Sequence, residues 1–115
     1  MTNVLFVCGQ NKLRSPTAEH LFADHPGLNV ASAGLKREAE ERVSAEWVEW
    51  ADVIFVMEKG HLRRLRAQFG RHLREQRVVC LGIPDVYGYM EPALVERLQA
   101  TVPRHLGTVG GSVGE

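Results

Sequence analysis

Cys8 opens the stretch CGQNKLRSP, in which five residues separate it from Arg14, and Ser15 and Pro16 follow at once. A thiol, a guanidinium and a hydroxyl held this close suit covalent transfer of a phosphoryl group. A thiolate is a strong nucleophile toward phosphorus. A planar guanidinium matches two oxygens of a phosphate. The five intervening residues, Gly9, Gln10, Asn11, Lys12 and Leu13, are the expected phosphate cradle: a loop between a strand and a helix can turn its N–H groups on one point, beside the positive helix end. Gly9 is expected to ease the bend, and Asn11 is a residue type that tolerates a left-handed backbone. The same environment favours an ionised sulfur. Ser15 is placed to donate a hydrogen bond to it and ease its later departure.

Such a site needs a proton for the leaving oxygen, and Asp85 is the best-placed donor. The reason lies in the elements that carry the two residues. Val4–Val7 (VLFV) reads as a strand buried on both faces, and Ser15-Pro16 as a helix start with serine as N-cap and proline at the first turn. Ala18, Leu21, Phe22 and His25 share the expected inward face, and Pro26-Gly27 ends the helix. A second strand spans Leu28–Gly34, and a helix is expected over Glu38–Ala51. Asp52–Met57 (DVIFVM) is the clearest buried strand. A basic helix over Lys59–Phe69 should turn Leu62, Leu65, Arg66 and Phe69 inward. Arg77–Ile83 is the fourth strand, and Pro92 opens a last helix with Leu94, Val95, Leu98 and Val102 inward. Strands alternating with helices predict an α/β fold: a single-domain, doubly wound, four-stranded parallel sheet with helices on both faces and the phosphate loop after strand 1. Ligands of such folds sit beyond the carboxyl ends of the strands. Cys8 follows the first strand and Asp85 the fourth, so both are expected at one sheet edge.

Composition narrows the classes. The chain has 115 residues, 44% of them hydrophobic and 24% charged, with 14 basic and 14 acidic side chains. This suits one domain with a core of its own. Residues 1–106 are expected to form it, with 107–115 a flexible glycine-rich tail. Zero net charge gives no global attraction to nucleic acid or anionic membrane. The two cysteines make no disulfide framework, and no signal peptide or spanning segment is evident, so a cytoplasmic setting is expected. No His or Cys spacing suggests a metal, and the chemistry needs no cofactor.

The segment VLFVCGQNKLRSPTAE resembles the signature of the low-molecular-weight protein tyrosine phosphatases. The stretches SAG (Ser32–Gly34), ADVIFVME (Ala51–Glu58) and IPDVY (Ile83–Tyr87) resemble that family's later landmarks in the same order. The likeness spans most of Val4–Tyr87 and is closest to a compact bacterial branch. It implies Cys8 as nucleophile, Arg14 as phosphate clamp, Ser15 as donor to the thiolate and Asp85 as general acid, with Asn11 bracing the loop through Ser32 and Ser15. It departs from the family pattern in a shortened stretch after Gly34, in Leu13 where a second cysteine is frequent, and in Val86 after the aspartate. These departures bear on substrate choice more than on chemistry.

The expected substrate is a phosphorylated protein, at phosphotyrosine, or a small aryl phosphate; the expected state is a monomer or weak dimer. Two rivals stand beside this reading: an arsenate reductase on the same scaffold, and a phosphate-binding adaptor without turnover. A reductase would need a relay of further thiols, and Cys80 sits in a strand, where an inert core thiol is expected. An adaptor would need neither thiol nor acid. Tyr87, with Tyr89, is a further residue for the cleft wall, against a packing role. Trp47 and Trp50 read equally as core or cleft wall. His61 and His72 are expected to be solvated. The basic run from Lys59 to Arg77 reads as a solvated face, with docking of an acidic or phosphorylated partner as its functional alternative.

Overall fold

Every residue from Val4 to Cys8 and from Val53 to Met57 is buried, and the computed structural model shows why these runs carry no polar side. It describes residues 1–109, with side chains through residue 106. Strands β1 (Thr2–Cys8), β2 (Leu28–Gly34), β3 (Val53–Val56) and β4 (Arg77–Cys80) form one parallel sheet in the order β2-β1-β3-β4. Alternate side chains of the central strands serve two cores. Val4, Phe6, Cys8, Val53, Phe55 and Met57 enter one; Leu5, Val7, Ile54 and Val56 enter the other.

Helices α1 (Arg14–Phe22) and α4 (Pro92–Val109) cover the first core with Ala18, Phe22, Leu94, Leu98 and Val102. Phe6 stacks between Phe22 and Phe55, at centroid distances of 6.0 and 5.4 Å. Helices α2 (Ala45–Trp50) and α3 (Lys59–Phe69) cover the second with Val48 and Leu65. A short 3-10 turn, Gly70–His72, follows α3. Helices thus lie on both faces of the sheet, as expected. Each fully buried Phe or Leu contributes roughly 1.5–3 kcal/mol.

Several local expectations are corrected. The helix expected over Glu38–Ala51 is confined to Ala45–Trp50, with Ser44 as N-cap accepting from the Trp47 N–H at 3.1 Å. Residues 35–43 are irregular because their backbone is bonded elsewhere, as described below. The N-cap of α1 is Leu13 rather than Ser15, since the Ser15 hydroxyl is engaged with the thiol. His25 and Arg66 are exposed rather than inward. The last helix runs to Val109, three residues into the glycine-rich stretch; the remainder of the expected tail, 110–115, lies outside the described residues. None of the described helices is long and apolar enough to cross a membrane.

The strand order makes β1 the turning point of the winding. Its connection to β2 goes one way, and the next crossover carries the chain to β3 on its other side. A crevice at the carboxyl ends of such neighbouring strands is where doubly wound folds place ligands. Cys8 ends β1, Glu58 follows β3, and Ile83 and Asp85 follow β4.

Candidate active site

The loop after β1 is pinned from behind by the stretch after β2. The carbonyls of Cys8, Gly9 and Gln10 accept from the N–H groups of Leu35 (3.0 Å), Lys36 (2.9 Å) and Glu40 (3.2 Å). The Asn11 carboxamide ties the remaining strands of the loop together. Its Nδ2 donates to Ser15 Oγ at 3.0 Å and to Ser32 Oγ at 2.9 Å, and its Oδ1 accepts from the Glu41 N–H at 3.1 Å. The Ser32 hydroxyl donates in turn to Glu19 Oε1. Asn11 holds φ = 57°, a left-handed conformation that its short amide tolerates better than most side chains. The bend is therefore made at Asn11; Gly9 is not among the positive-φ residues. Gly34 is required by contact instead: a Cβ there would lie 2.5 Å from the Gly9 carbonyl oxygen and 2.9 Å from the Asn11 nitrogen.

With the loop carbonyls turned outward, its N–H groups are left for the cavity. The Asn11 N–H lies 3.3 Å from Cys8 Sγ. Among the described residues, the N–H groups of Gly9, Gln10, Lys12 and Leu13 donate to no protein acceptor. Cys8 Sγ and Ser15 Oγ are 2.9 Å apart, both buried. Ser15 Oγ accepts from Asn11 Nδ2 and keeps its own proton to donate to the sulfur once the thiol is ionised.

Arg14, the first residue of α1, is buried to 5% exposure. A buried guanidinium needs paired partners, and its Nη1 has two: Glu58 Oε1 at 2.9 Å and the Ile83 carbonyl at 2.8 Å. Its Nε faces Asp85 Oδ1 at 3.7 Å. Anchoring through Nη1 leaves the Nε–Nη2 edge, the fork that grips two oxygens of a phosphate. Glu58 is held in turn. It starts α3 with a capping box: its carboxylate accepts from the His61 N–H, and its own N–H donates to His61 Nδ1 at 3.1 Å. The Arg14 hydrogen bond and the guanidinium charge, acting against burial, hold the Glu58 carboxyl below its ordinary range. Burial, then the Arg14 charge, pushes the His61 imidazole down. A neutral His61 with Nδ1 as acceptor carries its proton on Nε2, which points to Glu58 Oε1 at 3.7 Å.

Cys8, Gly9, Gln10, Lys12, Leu13, Arg14, Lys36, Glu58 and Asp85 line one cavity of about 180 Å³. It is small and polar, the size of a phosphoryl group with the first atoms of its ester. A wider depression of about 680 Å³ lies at the opposite sheet edge, around Asp52, His72 and Gln76, remote from the thiol.

The expected residues Cys8, Gly9, Gln10, Lys12, Leu13, Arg14 and Asp85 therefore meet in one place. Asn11 and Ser15 stand behind them as braces. Tyr87 does not line the cavity: it packs at the edge of the first core, and its hydroxyl accepts from Arg97 Nη1 at 3.2 Å. Tyr89 reaches His20 Nδ1 at 3.2 Å. Trp47 and Trp50 pack edge-to-face on each other and against the second core, and line a separate groove with Ser44 and Glu46. His61 is buried and bonded rather than solvated, and His72 pairs with Glu49 at 2.7 Å. Cys80 lies on β4, packed against the second core and outside the cavity lining. Sequence reasoning passed over Glu58 and Lys36. The signal for Glu58 was present: it is the first polar residue after the most apolar strand, at the edge where Cys8 lies.

Residues 3–50 match the family model of the low molecular weight phosphotyrosine protein phosphatases. No curated protein matches the chain by sequence. Among solved structures, the tyrosine phosphatase Wzb from Escherichia coli K30, in complex with phosphate, is similar at TM-score 0.74 and 20% identity, over 94% of this chain and 98% of that one. Wzb from Vibrio vulnificus, in complex with benzylphosphonate, is similar at 0.66 and 27% identity, over 85% and 90%. The YwlE arginine phosphatase from Geobacillus stearothermophilus is similar at 0.67 and 20% identity, over 99% and 100%. With a sequence match over residues 3–50 and a shared fold along its length, this chain is similar to the low molecular weight phosphotyrosine protein phosphatases.

Proposed function

We propose that the protein is a cysteine-dependent phosphomonoester hydrolase acting on phosphotyrosine or a small aryl phosphate through a cysteinyl-phosphate. The observation that carries this is the meeting of Cys8 Sγ, the Asn11 N–H, Ser15 Oγ, the anchored Arg14 and Asp85 around one small cavity. Cys8 Sγ attacks phosphorus as the ester P–O bond breaks, and Asp85 gives its proton to the leaving oxygen. Arg14 and the free loop N–H groups stabilise charge on the three non-bridging oxygens. The Asp85 carboxylate then takes a proton from water, which attacks phosphorus as the P–S bond breaks. The departing sulfur accepts the Ser15 hydrogen bond, and inorganic phosphate leaves. Asp85 is well exposed, its side chain 66% accessible, so both leaving group and water can reach it.

A reductase relay is disfavoured because Cys80, the chain's other cysteine, is outside the cavity lining. An adaptor would gain nothing from the thiol and the acid. Both phosphotyrosine and phosphoarginine are suggested by the names of structural neighbours. The cationic guanidinium of the second would have to enter past Lys12 and Lys36, which favours the first. The test is hydrolysis of para-nitrophenyl phosphate. Cys8→Ser should abolish turnover, and Asp85→Ala should slow it on the order of 10²–10⁴-fold and remove the fall in kcat/KM that deprotonation of a general acid causes. Wild-type turnover persisting in Cys8→Ser would discard the mechanism.

A further inference from the structure

Two cations that line the cavity take no part in the phosphoryl-transfer steps above. Arg14 is the phosphoryl clamp, and its Nη1 is taken by Glu58. Asp85 is the proposed proton donor. That leaves Lys12 and Lys36, both exposed and both lining the cavity. Among the described residues, neither ammonium has an ion-pair partner, although acidic residues stand close in sequence at Glu38, Glu40 and Glu41. Glu41 is occupied elsewhere, accepting from Trp47 Nε1 at 2.9 Å.

The two lysines sit on different supports. Lys12 belongs to the phosphate loop itself. Lys36 comes from the stretch after β2, with its N–H bonded to the Gly9 carbonyl. Its stem lies over the loop: a Cβ built on Gly9 would meet Lys36 Cε at 3.4 Å and Cδ at 3.6 Å. The backbone that fixes the loop therefore also fixes the base of the second cation. Among the described residues no aromatic side chain lines the cavity, so the mouth offers charge where an aryl ring would seek a stacking partner.

We propose that Lys12 and Lys36 form a second anion subsite at the cavity mouth, selecting phosphomonoesters that carry another negative group beside the phosphoryl. The source favoured is a carboxylate flanking phosphotyrosine in a peptide, since both ammonium groups are on the solvent side, where a chain would run. This rests on the phosphatase reading above and deepens it.

The test compares kcat/KM for phosphotyrosine peptides with glutamate, glutamine or lysine on both sides. A second arm compares 3-carboxyphenyl phosphate with phenyl phosphate. Exposed ion pairs are individually weak, so the glutamate peptide should exceed the glutamine peptide about threefold to tenfold at low salt. That ratio should fall to about one in Lys12→Gln/Lys36→Gln, and shrink in the wild type at 0.5 M salt, where the Debye length is only about 4 Å. Preference confined to the small-molecule arm would keep the subsite and make its ligand a small dianion. Equal rates in both arms, with para-nitrophenyl phosphate still hydrolysed, overturn the subsite and leave the phosphatase reading intact. No turnover of any substrate overturns both.

Discussion

Removing the Glu58 carboxylate tests how the phosphate clamp is held, because that side chain touches Arg14 without lying on the path of the reaction. Arg14 Nη1 is shared between Glu58 Oε1 at 2.9 Å and the Ile83 carbonyl at 2.8 Å. In Glu58→Ala the carbonyl remains, so the guanidinium is not orphaned, but it loses its nearer carboxylate partner and one of the two directions that fix Nη1. A charge-assisted hydrogen bond contributes about 1.5–3 kcal/mol. The Glu58 side chain is 44% exposed, so solvent screening lowers this to about 1–2 kcal/mol. At about 1.4 kcal/mol per tenfold, kcat/KM for para-nitrophenyl phosphate should fall roughly 5- to 30-fold. Glu58→Gln keeps an acceptor and loses the charge, and should fall between.

In the proposed mechanism Arg14 grips the phosphoryl group before and during transfer, so the inhibition constant for inorganic phosphate should rise alongside. Glu58 also starts α3, and losing a helix cap costs about 0.5–2 kcal/mol of stability. His61→Ala separates the two effects: it opens the capping box and leaves the Arg14–Glu58 bond. Rates and phosphate inhibition within twofold of wild type in Glu58→Ala would refute the reasoning. An equal loss in His61→Ala would assign the effect to the helix start instead.

Gly34→Ala pushes a methyl against the Gly9 carbonyl and the Asn11 backbone nitrogen; thermal unfolding should show a loss of about 1–3 kcal/mol, the usual range for overpacking, with activity falling as the loop shifts. Asn11→Ala removes three hydrogen bonds and the residue type suited to φ = 57°; at about 1 kcal/mol per bond, denaturant unfolding should show a loss of about 3 kcal/mol or more. For His61 the shift is downward in the folded protein, caused chiefly by burial. The unfolded chain then binds more protons, so stability rises with pH. The contribution is complete above the ordinary histidine value of about 6.5 and is lost as pH falls below it. His61→Gln should flatten the pH dependence of unfolding in that window, and an unchanged slope there would show that His61 titrates alike in both states.

The parts of this fold legible in the sequence are those in which a side chain's own surroundings decide its role. β1 and β3 feed two cores with alternate residues, so neither face tolerates a polar group, and VLFV and DVIFVM announce themselves. The loop from Cys8 to Ser15 was legible because thiol, guanidinium and hydroxyl have few joint uses. Lys36 was not, since it acquires its place from the distant Gly9 carbonyl, nor was His61, whose burial is set by packing; of Glu58 the position after β3 was legible but not its bond to Arg14.

The plainest failure is also the most informative. Residues 38–44, EAEERVS, have strong helix formers, and a helix was expected to begin there. Instead their backbone is claimed by the site: Glu40 donates to the Gln10 carbonyl, Glu41 to the Asn11 side chain, and the Gly34 N–H reaches the Glu41 carbonyl at 2.7 Å. A helix begun at Glu38 would spend the Glu41 carbonyl internally and turn the Glu40 and Glu41 N–H groups along its own axis, away from the Gln10 carbonyl and the Asn11 side chain. The Gln10 carbonyl would then lack its partner behind the loop, and turned toward the cavity it would present oxygen to an anion. Keeping this stretch out of the helix lets the loop offer only N–H groups to an anion, so the lost helical propensity and the anion site are one choice of backbone hydrogen bonds.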